Sequence, residues 1–382
     1  MTAALRVLTI GHSYVVAQNR RLAHELAMQG AGRWDVTAAA PRALPGDLRR
    51  IDLEPLAGEA CRLEPIGVHL AGSAHWRFYG RELRNLMRQG WDIVHCWEEP
   101  YVAAGAQVAA LAPSGARFVP ATFQNIAKNY PPPFGWLERR VLTRADGWIA
   151  FGELVAAAMN GKPAFRNKPH RVIPPGVDVA GFTPDPGARA SVRRRLGWSD
   201  RTRVVGYLGR FVPQKGIGIL LDALRDAGEN WHALFVGGGP LDRDIERFRA
   251  AFPDRVRVAS DVRHDAVPSY LNAMDVLCAP SQTTAAWREQ FGRMLIEAMA
   301  CGVAVIASTS GEMPRVVGGA GVLLGETDVP AWSAAIARLL EHDSERRDMA
   351  ARGLERVRDR FTWPAVARAH LEFFEELMER PR

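Results

Sequence analysis

Residues 289–306 read Glu-Gln-Phe-Gly-Arg-Met-Leu-Ile-Glu-Ala-Met-Ala-Cys-Gly-Val-Ala-Val-Ile. A Phe291-Gly292 turn opens an apolar helical run from Arg293 to Ala300. Gly302 closes that run, and the β-branched segment Val303–Ala307 reads as a buried strand. Glu289 precedes the helix and Glu297 lies within it. The N-terminus of a helix aimed at a loop favours anions, phosphates above all. A carboxylate ahead of such a site would repel a phosphate, so it suits hydroxyl groups instead. Sugar hydroxyls beside a diphosphate satisfy both features.

Working outward, strand-like runs alternate with amphipathic helical runs. Strands are expected at Arg6–Ile10, Trp34–Ala38, Ile93–Cys96, Arg117–Ala121, Trp148–Phe151 and Arg171–Ile173, then at Val204–Leu208, His232–Val236, Arg255–Val258, Val276–Ala279, Val303–Ala307 and Val322–Leu323. This repetition predicts an α/β protein of two Rossmann-like, parallel-sheet domains facing a central cleft. The Pro/Gly-rich stretch from Pro174 to Gly187 reads as the linker. The expected domains are 1–182 and 183–362, with an amphipathic helix in 363–382 returning to the first domain.

The 382 residues suffice for two domains, and 47% hydrophobic with 24% charged residues describes a soluble globular chain. No apolar run is long enough for a membrane span, and the N-terminus reads as a first strand and not a signal peptide. Cys61, Cys96, Cys278 and Cys301 form no CxxC pair, which argues against a disulfide framework or zinc site and for the cytoplasm. Residues 1–182 hold 21 Lys/Arg against 15 Asp/Glu, while 183–382 hold 28 against 27. The basic first half suits an anionic membrane surface or an acidic acceptor, or equally a solvated Arg-rich surface. No nucleic-acid-binding motif accompanies the charge.

The loops at strand ends carry the chemistry. Val204–Leu208 runs into Gly209-Arg210 and then Lys215-Gly216. Arg supplies a planar fork and Lys a point charge, a pair suited to one diphosphate. Gly237-Gly238-Gly239 permits close backbone approach at the same sheet edge. In the first half, Gly11 follows the first strand, without a GxGxxG fingerprint. Asp92–Pro100 delivers His95, Glu98 and Glu99 to a strand end, where carboxylates can bind hydroxyls or take a proton. His95 equally reads as a satisfied core histidine, and the two acids as a helix-start pair. Asn125 and Lys128 follow another strand in a polar loop.

Together these residues resemble the retaining glycosyltransferases of family 4, with the two-domain GT-B architecture. The resemblance spans essentially the whole chain. It rests on Glu289-x-Phe291-Gly292-x4-Glu297-Ala-Met-Ala-x-Gly302, with Ala304 where proline is usual. Gly209-Arg210 with Lys215-Gly216, Gly311-Glu312-Met313-Pro314 and Val172–Asp178 add to it. The resemblance implies that Arg210 and Lys215 neutralise a leaving nucleoside diphosphate, that Glu297 holds ribose hydroxyls, and that Glu289 faces the donor sugar. It places the diphosphate on backbone amides from Gly292 through Arg293 and Met294 to Leu295, beside Phe291, and the base near Ser260–Arg263. Many members carry a sugar-facing histidine before a Glu-Pro. Here Glu98 holds that place before Glu99-Pro100. Gly11 matches the family's first glycine loop, with His12 where a second glycine is usual.

The expected reaction is retaining transfer of a sugar, UDP- or GDP-linked, to a hydroxyl acceptor. A nucleoside-diphosphate sugar is the co-substrate and no metal is expected. The implied products are glycans, glycolipids or glycosylated metabolites. The alternatives are a nucleotide-sugar epimerase or phosphorylase on the same fold, or a non-catalytic nucleotide-sugar-binding subunit. Pro131–Arg140 is apolar and basic, which suits peripheral contact with the inner membrane face or a packed helix with a basic outer side.

Overall fold

A computed structural model describes residues 4–46 and 50–381. The chain divides into two compact units, Met1–Gly176 with Trp363–Arg382, and Val177–Thr362. The division precedes the expected break at 182/183. The Val177 N–H donates to the Phe361 carbonyl at 2.7 Å, and Val177 bridges Thr362, so the connector belongs to the second unit. Pro186-Gly187, expected as linker, instead begins the helix Pro186–Arg195. Asp185 caps it by accepting from the Ala188 N–H at 2.9 Å, and Pro186 occupies the first turn, where its missing N–H costs nothing.

The first unit is built on a seven-stranded sheet. Across the sheet the strands run His170–Val172, Trp148–Ala150, Arg117–Thr122, Ile93–Cys96, Leu5–Ile10, Trp34–Pro41 and Arg62–Ile66. Every neighbouring pair is parallel. Ile93–Cys96 and Arg117–Thr122 are buried at every residue, because helices cover both faces. Arg62–Ile66 is an added strand, and it sits at the edge, where Pro65 is tolerated. The helix Trp363–Glu379 packs on Ala17–Gln29. It buries Trp363, Val366, Ala367, His370, Leu371 and Phe374, one stripe at helical spacing.

The second unit carries a six-stranded parallel sheet in the order Val256–Ala259, His232–Val236, Val204–Leu208, Val276–Ala279, Ala304–Ser308, Val322–Leu324. The helix Ile217–Asp226 buries Ile217, Leu220, Leu221 and Leu224 against it. The strand expected from Val303 starts at Ala304, because the Val303 N–H is held by the Ala298 carbonyl at 3.0 Å. In both sheets the chain order reverses beside the first strand. The reversal lies between Leu5–Ile10 and Ile93–Cys96 in one unit, and between Val204–Leu208 and Val276–Ala279 in the other. Open α/β sheets bind ligands outside the carboxyl ends at such points.

Candidate active site

At the reversal in the second unit, two loops meet backbone to backbone. Gly216 has φ +68°, and a Cβ there would stand 1.8 Å from the Pro280 carbonyl oxygen. This contact sets Lys215, at the end of one loop, against Glu289, in the other. The Lys215 ammonium donates to Glu289 Oε2 at 2.5 Å, and Ser281 Oγ donates to the same oxygen at 2.8 Å. Glu289 is buried. Lys215 also lies 5.4 Å from the centre of the Trp287 ring. An ammonium has three donors, so its bond to one carboxylate oxygen leaves donors for an anion.

The Glu289 segment is held from its other side by Gly311, which has φ +56°. The Glu312 N–H donates to the Glu289 carbonyl at 3.2 Å, while Ser310 Oγ accepts from the Glu289 N–H at 3.4 Å and meets Thr283 Oγ1 at 2.9 Å. Three residues on, Gly292 caps the helix Arg293–Ala300, with no side-chain cap. The Leu295 N–H closes the first turn onto the Gly292 carbonyl at 2.9 Å. Leu295 is fully buried, and this turn takes its N–H. Phe291 is buried in the core, and Met294 is partly exposed at the helix start. Burial pushes the Arg293 guanidinium below the usual arginine range, and buried Glu297, one turn further along the helix, opposes that shift.

Arg210 is exposed, and its carbonyl accepts from the Tyr207 hydroxyl at 2.8 Å. Gly209 and Gly238 lie at the same edge, where the Gly238 carbonyl accepts the Phe211 N–H at 2.9 Å. Arg263 is exposed and paired with Asp265 at 3.3 Å.

In the first unit the reversal is marked by Glu98, 1% exposed. Glu98 accepts the His12 backbone N–H at 2.5 Å, the His12 ring Nδ1 at 2.8 Å and the Tyr79 hydroxyl. Burial pushes the carboxyl up, but the His12 ring and these three hydrogen bonds outweigh it, and Glu98 is held below the usual carboxylate range. Gly11 precedes His12, and a Cβ on it would lie 2.8 Å from that of Trp97.

Two expected substrate residues take structural places. His95 is fully buried, with Nδ1 3.0 Å from Thr9 Oγ1 and its ring against Trp97, His370 and Phe374. Burial, then His370, holds it well below the usual histidine range, so it is a neutral core residue. Glu99 ties two strand ends together, accepting from Thr122 Oγ1 at 2.6 Å and the Phe123 N–H at 2.8 Å. Burial raises it above the usual carboxylate range against those bonds. Asn125 is buried, and Lys128 is exposed, its carbonyl accepting from Lys162 Nζ at 2.9 Å.

Ser281, Trp287, Ser310 and Tyr79 belong to these clusters without having been named as candidates, and His12 had been noted only as standing in place of a second glycine. Ser281 and His12 each sit two residues past a strand, which is a usable signal. Trp287, Ser310 and Tyr79 offer none without the fold.

Two doubly wound parallel units, one with a cation, a buried carboxylate and an uncapped helix start at its reversal point, define the nucleotide-binding α/β transferases of GT-B architecture. Residues 15–180 match the profile described as Glycosyltransferase Family 4, and residues 202–342 that described as Glycosyl transferases group 1. The chain belongs to glycosyltransferase family 4. It is 31% identical over 295 residues, 73% of this chain and 76% of the other, to a GDP-mannose-dependent alpha-(1-6)-phosphatidylinositol monomannoside mannosyltransferase of Mycobacterium tuberculosis. It is 29% identical to a D-inositol 3-phosphate glycosyltransferase of Salinispora tropica, covering 89% of this chain and 72% of that one. The fold superposes on the Anabaena HepE protein, crystallised with UDP and glucose, with a TM-score of 0.73 at 18% identity, covering 97% and 100% of the two chains.

Proposed function

We propose that this glycosyltransferase moves a hexose from a UDP- or GDP-linked donor to a hydroxyl of an inositol-bearing acceptor, with retention of anomeric configuration and without a metal ion. The observation that carries the reading is the Lys215–Glu289 pair beside the helix start at Gly292. In this reading the diphosphate lies on that helix start, and Lys215 and Arg210 neutralise it as it departs. Glu289 orients Lys215 and faces the sugar, and Glu297 takes the ribose. Stabilising the leaving group is then the main contribution of the protein, because charge develops there in the transition state. The departing phosphate takes the acceptor proton on the same face, so no covalent nucleophile is required. The second unit binds the donor and the first the acceptor. The inositol-bearing acceptor is supported by the names of the relatives, which act on inositol phosphate or phosphatidylinositol mannosides.

A thermal-shift panel of UDP, GDP and ADP with their sugars tests the donor. At 100 times its dissociation constant a ligand adds about 2.7 kcal/mol, which is a shift of several degrees for a unit of this size. One base is expected to give that shift for both diphosphate and sugar-diphosphate. No shift with any of them would overturn the reading.

The first unit also offers a membrane-facing helix, Phe134–Arg144, which buries Glu138, Val141 and Leu142 and exposes Trp136, Arg139 and Arg140. Trp136 is 64% exposed and borders a groove of about 700 Å³. No helix among the described residues is long and apolar enough to cross a membrane. An aromatic residue flanked by arginines suits the interface of an anionic bilayer, at about 1 kcal/mol per basic residue. Cosedimentation with phosphatidylglycerol vesicles is expected, with at least about 30-fold weaker binding for the Arg139→Glu/Arg140→Glu variant. Equal binding to phosphatidylcholine vesicles would remove the membrane assignment.

A further inference from the structure

The Glu98 cluster has the form of an aimed histidine. Both Glu98 oxygens are used: one takes the His12 backbone N–H and the Tyr79 hydroxyl, the other the His12 ring. A carboxylate only accepts hydrogen bonds, so Nδ1 of His12 carries the hydrogen. Nε2 is then the ring atom left facing outward. The ring is 35% exposed, and among the described residues nothing bonds Nε2. Gly11, before it, and the short helical turn His12–Val15, after it, fix the backbone from which the ring projects. The cluster stands at the reversal point of the first sheet, between the ends of Leu5–Ile10 and Ile93–Cys96.

We propose that His12 is a substrate-binding residue whose Nε2 hydrogen-bonds a ring hydroxyl of the acceptor polyol, with Glu98 and Tyr79 as the residues that position it. The assignment rests on the reading that the first unit holds the acceptor. The chemistry selects a hydroxyl over a phosphate. With Glu98 ionised, the His12–Glu98 pair carries no net positive charge, so it does not draw an anion as a free cation would, and Nε2 meets a hydroxyl, which can donate or accept. The hydroxyl oxygen has two lone pairs, so it keeps one for attack even where it accepts from Nε2. A histidine that merely filled space would not need a buried, fully bonded carboxylate behind it. The low protonation tendency of Glu98 agrees with this arrangement.

Transfer from GDP-mannose and UDP-glucose onto D-inositol 3-phosphate and phosphatidylinositol monomannoside tests the proposal, with initial rates over an acceptor series. His12→Ala is expected to raise the acceptor KM about tenfold, the weight of one hydrogen bond to a substrate. Its dissociation constant for the nucleoside diphosphate, by calorimetry, is expected to stay within about twofold of wild type by the same equivalence of tenfold to one hydrogen bond. His12→Asn keeps a donor for Glu98 but lacks the outward atom, so it behaves as the alanine variant. His12→Gln reaches the Nε2 position and recovers part of the loss. Glu98→Gln raises the acceptor KM with little change in kcat. Asparagine matching wild type, or an unchanged acceptor KM in His12→Ala, overturns the assignment of His12. Wild-type protein that binds a nucleotide but transfers to neither acceptor overturns the acceptor reading itself, and the assignment of His12 with it.

Discussion

Lys215→Ala is expected to lower kcat/KM for the donor by about 10²- to 10³-fold, the usual cost of removing one group that stabilises charge in the transition state. Lys215 is set by the Gly216–Pro280 backbone contact and bonded to buried Glu289 at 2.5 Å. Arg210 lies exposed on the preceding turn and would retain only part of the charge. The substitution also removes the cation from Glu289 Oε2, where Ser281 Oγ still donates. Breaking a pair this deeply set costs a few kcal/mol in stability, so thermal melting should be recorded beside the kinetics. Glu289→Gln on the Lys215→Ala background separates the two effects. It removes the stranded charge, and is expected to recover melting temperature but not turnover. Unchanged turnover in Lys215→Ala would rule out the leaving-group clamp.

The second large effect is expected at Gly311. Its backbone has φ +56°, where an L-residue is strained, and a Cβ would stand 1.8 Å from the Glu289 carbonyl oxygen. Contact at that distance cannot be relieved by a side-chain rotation, because the obstacle is backbone. Gly311→Ala must move either the turn or the Glu289 segment. Moving the latter breaks the Glu312 N–H bond to Glu289 and pulls the carboxylate away from Lys215. The expected result is a loss of several degrees in melting temperature together with at least tenfold weaker nucleoside diphosphate binding by calorimetry, the weight of one hydrogen-bonded contact. Melting and binding both equal to wild type would mean that the turn does not set the position of Glu289.

The donor half of the site was legible in the sequence because its parts are local. The Phe291-Gly292 turn, the helix Arg293–Ala300 and the β-branched strand behind it are spelled out within eighteen consecutive residues, roughly the span over which helix and strand periodicity can be read. The Lys215–Glu289 bond was not legible. It depends on the strand Val204–Leu208 lying beside Val276–Ala279, and adjacency across a sheet is tertiary. The acceptor half was harder for the same reason. Glu98 stood out by its place before Glu99-Pro100, but its partners His12 and Tyr79 come from a different strand end and from a two-stranded ribbon. His95 had two readings in the sequence, and the core histidine is the one found: its ring packs on His370 and Phe374, where burial keeps it neutral. The edge strand Arg62–Ile66 and the helix Pro186–Arg195 were obscured by prolines, which here occupy the two positions that tolerate them, a sheet edge and a first helical turn.

The central claim, sugar transfer on one face with the leaving phosphate as proton acceptor, is tested most directly by NMR of the glycoside formed from UDP-α-glucose or GDP-α-mannose, whichever stabilises the protein, in the presence of EDTA. The account predicts an α-linked product. A β-linked product, or dependence of its formation on an added divalent metal, would contradict it.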